Sequence, residues 1–402
     1  MADRAVSSLD RERVQRVLRA TLYEGYALYP YRADALKNRR RFMFGTLHPA
    51  VAGSAEPTMA TTECLVRGDA RTGLESRVRG LQPIERLADD GVWDEVAERE
   101  IALPARPLGA LAQEPESTSV EWPGGEETEG GVVRRRHRVH VQVTRRAAVL
   151  GDGLFRVSVS VHNVTTLPAH GRPEDARLAV LASVHTLLGV AGGRFVSLLD
   201  PPAEVREAAA ACANIGTWPV LVGEPGEDDA MLSAPIILYD HPAVAPESAG
   251  DLFDLTEIDE LLTLRIRTLT DAEREAARGA DARVRDVLDR AATLDAESLA
   301  RLHGRHRVLG MVQEGGRDGR DGAPTRALRA GQRVRLQPRR RADVLDLALA
   351  GRTALIDRIE RDLDGRVFVV VTVDDDPGRD LGARGALAHG FFFAPDEVEP
   401  LP

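Results

Sequence analysis

The chain is poor in the residues that most often announce a chemistry. Only two cysteines, Cys64 and Cys212, occur in 402 residues. That excludes a disulfide framework and any four-thiolate zinc or iron–sulfur centre within one chain. Two free thiols in a reducing compartment is the simpler expectation. Aromatic residues make up 4% of the composition, so core volume must come from Leu, Val, Ile and Ala. Lysine is nearly absent, with Lys37 alone among 53 basic residues. No uncharged run exceeds the 16 residues of 178–193 and 208–223, short of the roughly 20 apolar residues that span a bilayer. Met1 leads into polar sequence rather than the apolar core of a signal peptide. The expectation is a cytoplasmic protein without a membrane span. The motifs GxxxxGK[ST], HExxH, GxSxG and CxxC are all missing, so nothing announces a nucleotide hydrolase, zinc peptidase, serine hydrolase or redox dithiol.

What is present is acid. The 63 Asp and Glu outweigh the 53 bases for a formal charge of −10, which argues against nucleic acid as a partner. Residues 224–260 hold eleven acids and no Lys or Arg, a local −11, so the rest of the chain is nearly neutral. This segment admits three readings. Asp240, His241, Glu247 and Asp251 form a candidate oxygen and imidazole site for a divalent cation. Asp251, Asp254, Glu257 and Glu260 form a candidate steering surface for a basic partner. Helix capping by Asp254 and Glu257 is the structural alternative. Asp240-His241-Pro242 follows the apolar run 235–239, which reads as a buried strand with polar residues at its end. Four of the five tyrosines lie in 23–31. Of these, Tyr26 and Tyr29 are candidate partner contacts, with a Tyr-bearing strand edge closing a core as the alternative. His185, inside an uncharged run, reads as a hydrogen-bonded core residue.

The pattern along the chain predicts an α+β protein. Residues 1–170 read as a helix followed by a β-rich region, with 139–143 and 155–161 an antiparallel pair turned at 151–153. The Glu- and Gly-rich stretch 114–131 reads as a mobile loop, and the run Arg134-Arg135-Arg136-His137-Arg138 as a solvated strand edge, with an acidic partner as the alternative. Residues 171–312 read as a mixed region. Within it, 184–190 and 194–199 suggest a hairpin about Gly192, and 219–223 a buried strand. A helical pair starts at Asp254 and at the Thr270-Asp271-Ala272-Glu273 box, with a third helix at 299–308. The Gly-rich run 313–326 reads as a linker, and 327–402 as an SH3-like β-barrel.

Several phrases taken together (22–31 with 38–44, 193–202, 215–223, 233–241, 245–269, and 369–381 with 391–399) resemble a poorly characterised bacterial family associated with nickel–iron hydrogenase gene neighbourhoods. The longest is Ala245-Pro246-Glu247-Ser248-Ala249-Gly250-Asp251-Leu252-Phe253-Asp254 through Glu260. The resemblance implies a process rather than a mechanism: an adaptor or chaperone-like accessory role in hydrogenase assembly, maturation or operation. The acidic segment and the C-terminal barrel would then be binding surfaces for a hydrogenase subunit. The residues leave open a metal-dependent hydrolase or ligand-binding enzyme centred on Asp240, His241, Glu247 and Asp251. No cofactor is named by either reading.

Overall fold

The computed structural model describes residues 7–29, 31–32, 38, 43–51, 54–89, 91–151, 153–167, 173–245, 248, 250–253, 259–279, 282–295, 298, 328–329, 331–337, 351–361, 367–373, 391–393 and 395–401. Period-two alternation builds the first sheet. β7 (Val139–Gly151) and β8 (Leu154–Asn163) run antiparallel with Val143 opposite Val161. Gly151 and Gly153 turn the chain at φ +102° and +70°, where a side chain would be strained. Val139, Val141 and Val143 share an inward face with Val157, Val159 and Val161, none more than 1% exposed. With β1 (Met59–Arg67), β4 (Glu116–Trp122) and β10 (Arg194–Val196), these strands form a five-stranded sheet ordered β10-β1-β8-β7-β4.

The second sheet is organised by the long strand β2 (Gly73–Ala88). One side of β2 pairs with β3 (Gly91–Pro107), and the other is shared by β9 (Ala182–Ala191) and β6 (Val132–Arg136). β12 (Ala230–Ala234) and β11 (Trp218–Leu221) continue beyond β9, and β5 (Gly125–Glu129) beyond β6. The two sheets share one apolar core, with Cys64, Val141 and Val159 from the first and Leu74, Val78, Leu188 and Met231 from the second. The short helix α1 (Glu12–Leu22) sets Val14, Val17 and Leu18 in a second cluster with Leu187, Val220 and Leu232 of the second sheet. α2 (Leu108–Gln113) adds Leu108 and Leu111 to the shared core. α3 (Pro173–Leu178) and α4 (Arg206–Ala210) are single short turns of helix. α5 (Asp259–Arg267), α6 (Asp271–Arg278) and α7 (Ala282–Thr293) share a cluster with Leu81 of β2 and Ala182 of β9. No helix among the described residues is long and apolar enough to cross a membrane.

The chain divides into two compact units, Met1–Gln313 and Glu314–Pro402. The break expected at 170/171 does not separate domains: β9 pairs with β2 and buries its apolar face in the core that β7 and β8 line. In the second unit, β13 (Arg333–Leu336), β14 (Thr353–Arg361), β15 (Val367–Val373), β16 (Phe391–Phe393) and β17 (Val398–Pro400) form an antiparallel sheet ordered β16-β15-β14-β13-β17. Val334, Ile356, Val369, Val371 and Phe393 supply its core. The α+β class holds. The expected linker and the helix at 299–308 lie outside the described residues.

Five local expectations are corrected. The Glu-rich stretch is not a loop but supplies β4 and β5, and Arg134–Arg136 is not an edge. In the β5–β6 hairpin, Glu126 and Glu127 lie opposite Arg135 and Arg134. Arg134 also reaches Glu95 at 2.8 Å, and Arg135 reaches Glu85 and Glu126 at 3.1 Å. Opposite charges across a ladder favour pairing, so a block that reads as a loop and one that reads as a solvated edge zip together. The 184–199 hairpin is absent because β9 and β10 belong to different sheets: the turn passes the chain across the sandwich, and Thr72 Oγ1 donates to Gly192 O at 3.0 Å. The strand expected at 235–239 is instead β12, ending just before Pro235. Proline has no N–H to extend the ladder. The second helix, expected to continue through Val284 and Leu288, is capped at Gly279, so that α6 and α7 are separate helices, although its capping box forms as read: Glu273 N–H donates to Thr270 Oγ1, and Thr270 N–H to Glu273 Oε2 at 3.0 Å.

Arg145 ties the sheets together. It sits on β7 in line with Val141 and Val143, facing the core at 1% exposure. Its Nη1 donates to Leu74 O at 2.8 Å and Leu103 O at 3.3 Å, and Nη2 donates to Pro104 O at 2.6 Å. Nε donates to Glu116 Oε2 at 2.8 Å. Those carbonyls surround an irregularity, where the β2–β3 register slips between Leu74 and Ser76. The guanidinium thus satisfies main-chain acceptors next to the bulge at Pro104. Arg145→Met should lower unfolding free energy by about 3–5 kcal/mol, because it leaves three main-chain carbonyls without their donor at about 1–3 kcal/mol each; urea denaturation of the variant checks this. A change below about 1 kcal/mol, the scale of a single ordinary hydrogen bond, would contradict the assignment.

His185 on β9 behaves as the sequence predicts. It is fully buried, its Nδ1–H donates to Ser183 O at 2.7 Å, and Nε2 has no partner among the described residues. Burial pushes its pKa down to about 4 from 6.5. Below pH 6.5 the unfolded chain binds a proton that the folded chain refuses. Stability therefore falls from about pH 6.5 to about pH 4 and then levels. The loss attributable to His185 is about 3 kcal/mol, at about 1.4 kcal/mol per pKa unit. Stability measured against pH should show that increment in the native protein and not in His185→Gln.

Candidate functional site

The acidic segment starts in the turn after β11, where the linear charge count misleads. Arg11, just before α1, grips Asp229 with two hydrogen bonds of 2.7 and 2.6 Å and lies 3.1 Å from Glu227. Arg13 holds Glu224 at 2.7 Å. Three of the eleven acids are therefore paired with bases more than 200 residues away in sequence. These pairs are partly exposed and worth little individually. Their consequence is local: this end of the segment is not a free anionic surface.

The sequence places Asp240 and His241 at the end of a buried strand; they instead cover the edge of one. Alternate residues of β11 face away from β12. Of these, Pro219 has no N–H to offer, and Leu221 is engaged on both sides. Leu221 N–H donates to Asp240 Oδ1 at 2.8 Å, and Leu221 O accepts from His241 N–H at 2.7 Å. Ser197 Oγ donates to Asp240 Oδ2 at 2.5 Å. Both oxygens of Asp240 thus serve the fold. His241 is held at φ +54°, and its Nδ1 is buried with no partner among the described residues. Glu247 lies outside the described residues. Asp251 is half-buried, and its carbonyl accepts from Arg290 Nη2 at 2.5 Å. Among the described residues, no group of three or more His, Cys, Asp or Glu is placed to hold a metal ion.

Further along, Asp254 and Glu257 also lie outside the described residues. Asp259 opens α5 at 4% exposure and accepts from Ser248 Oγ at 2.7 Å. It lines a small cleft with Gly250, Leu252, Thr263, Val287 and Arg290. α5 buries Leu262, Thr263 and Ile266 and turns Leu261 and Leu264 outward, 43% and 42% exposed, next to half-buried Glu260.

The tyrosine cluster is core. Tyr26, read as a partner contact, is 1% exposed. It packs edge-on against Tyr23 and Phe253, with ring centroids 5.5 and 5.7 Å apart. Tyr23 OH donates to Glu98 Oε1 of β3 at 2.6 Å and accepts from Arg283 of α7 at 2.5 Å, and that guanidinium lies 4.3 Å from the ring. Burial, with help from Glu98, holds the Tyr23 phenol well above its usual range. Tyr29 is half-buried against the same cluster. These aromatics join the segment after α1 to the sheet and to α7.

No protein-family model matches the chain, and no curated protein matches it significantly. The residues that sequence reasoning missed are Arg145 and Ser197. The first was legible as a charge on an inward position of an alternating strand. The second had no signal of its own. If Asp240 is an edge cap, Asp240→Ala should cost about 1–3 kcal/mol for the polar groups it strands, while Asp240→Asn, which keeps one acceptor for Leu221, should cost clearly less. Equal stability of the Ala variant and the native chain in urea would contradict the role.

Proposed function

We propose that the chain is an adaptor or chaperone-like accessory protein of a nickel–iron hydrogenase, acting in the cytoplasm and binding a hydrogenase subunit. One observation carries the binding surface: α5 turns Leu261 and Leu264, one helical turn apart, outward beside Glu260. Paired exposed leucines with a carboxylate beside them suit a helix face that seats in an apolar groove with a basic rim. The partner class rests on the resemblance of residues 245–269 and the other phrases to the hydrogenase-associated family. The C-terminal unit serves in this reading as a second contact surface, closed as an SH3-like barrel. Asp251, Asp254 and Glu257 are, with Glu260, the carboxylates that meet the partner on the same reading.

With purified hydrogenase subunits from the native host, Leu261→Ser combined with Leu264→Ser should weaken binding at least tenfold. Glu260→Gln should reduce the salt dependence of association more than its strength. Unchanged affinity of the double variant, with its fold intact by circular dichroism, would contradict the proposed surface. No binding by the native chain would remove the hydrogenase assignment.

A further inference from the structure

The strands at the margins of the sandwich differ in how they are finished. β11 is blocked by Pro219 and by the Asp240–His241 cap. β10 has only three residues. β5 carries exposed Glu126, Glu127 and Glu129, which would meet like charge in a copy of itself. β3 carries Pro104 and Pro107 together with Asp94, Glu95, Glu98 and Glu100. These are the devices by which natural sheets avoid pairing at their edges. β4 is neither short nor interrupted by proline, and its two carboxylates are faced by arginines, Glu116 by Arg145 at 2.7 Å and Glu121 by Arg138 at 3.5 Å. It is seven residues long, Glu-Ser-Thr-Ser-Val-Glu-Trp, has no proline, and pairs with β7 alone among the described strands.

Its free main-chain groups can be assigned. His140 N–H donates to Thr165 Oγ1 at 2.8 Å, and His140 O accepts from Val164 N–H at 2.8 Å, both on the β8 side of β7. In an antiparallel ladder the direction alternates from residue to residue, so Val139, Val141, Val143 and Arg145 face β4. They oppose Trp122, Val120, Thr118 and Glu116. The even residues of β4 thus bond to β7, and Ser117, Ser119 and Glu121 direct N–H and C=O away from the sheet. These three are also the exposed positions of the strand.

That edge is self-complementary. A twofold axis through Ser119 sets Ser119 opposite its own copy, Ser117 opposite Glu121 and Glu121 opposite Ser117. All three pairs are of the mutually bonded kind. The remaining side chains then meet as Thr118 with Val120 and Glu116 with Trp122, so half-buried Val120 and Trp122 extend their apolar contacts. Glu116 is already neutralised by Arg145 at 2.7 Å, and no two like charges are opposed.

We propose that β4 is a self-association site, pairing antiparallel with β4 of a second copy to join two five-stranded sheets into one continuous sheet across a twofold axis. The site is distinct from the α5 surface. Only a residue on the axis meets itself, which makes the test specific. Light scattering of the full chain at high micromolar concentration should give twice the chain mass. Ser119→Lys and Ser119→Glu, each placing like charges opposite one another, should be monomers alone and should dimerise when mixed. Ser119→Pro, which removes an outward N–H and no main-chain bond to β7, should also be a monomer; like the other two variants it gives up the exposed 2.7 Å contact of Ser119 Oγ with His140 Nε2. The circular dichroism spectrum of a folded chain should be retained in all three. A monomeric native chain, a Lys variant that stays dimeric, or failure of the Lys and Glu variants to pair when mixed would overturn the proposal.

Discussion

A guanidinium buried between two sheets is the constraint on which the sandwich depends. Arg145 occupies a position that alternation assigns to a valine, and it survives there because every direction it points in meets an acceptor: two carbonyls of β3, one of β2, and Glu116. A desolvated charge without such partners is strongly destabilising. Here the acceptors adjoin the β2–β3 slip at Leu74 and Ser76. The arginine thus supplies donors to carbonyls at the place where the ladder is irregular. At a second place the sheets are linked by hydroxyls: Thr62 of β1 donates to Ser233 of β12 at 2.8 Å, and Ser233 and Thr217 are 2.7 Å apart.

From that frame the other features follow as ways of finishing a large β structure. The outer face of the second sheet is covered by helices, with Tyr23 joining Glu98 and Arg283 across the layers. The projecting end of β2 and β3 is broadened by β5 and β6, whose Glu and Arg residues alternate across the ladder. The open side of β11 is covered by Asp240 and His241. What looked chemical in a list of residues is largely architectural once each polar atom is followed to its partner.

The sequence was most legible where one rule acted alone. The valine alternation of β7 and β8 and the Thr270–Glu273 capping box were read correctly, since a period of two or a cap needs only neighbours. It misled where a partner distant in sequence decided the outcome. The Glu block at 126–129 and the Arg block at 134–136 each resemble solvated chain, and only their mutual pairing makes them strands. The charge of 224–260 ignored Arg11 and Arg13. The break expected near 170 ignored the pairing of β9 with β2. Tyr26 was read for its polar tip, whereas its ring was needed in a core short of aromatics. Of the expected site, Asp240 was correctly singled out as a residue with a task, though the task is holding Leu221.

The central claim is that residues 1–313 form one cooperative body, locked between its sheets at Arg145. Native-state hydrogen exchange tests it most directly. Amides of β7 and β8 in the first sheet and of β2 and β9 in the second should exchange through a single opening with the same free energy and the same dependence on denaturant. Independent opening of the two sheets, or of residues 1–170 and 171–313, would contradict the account.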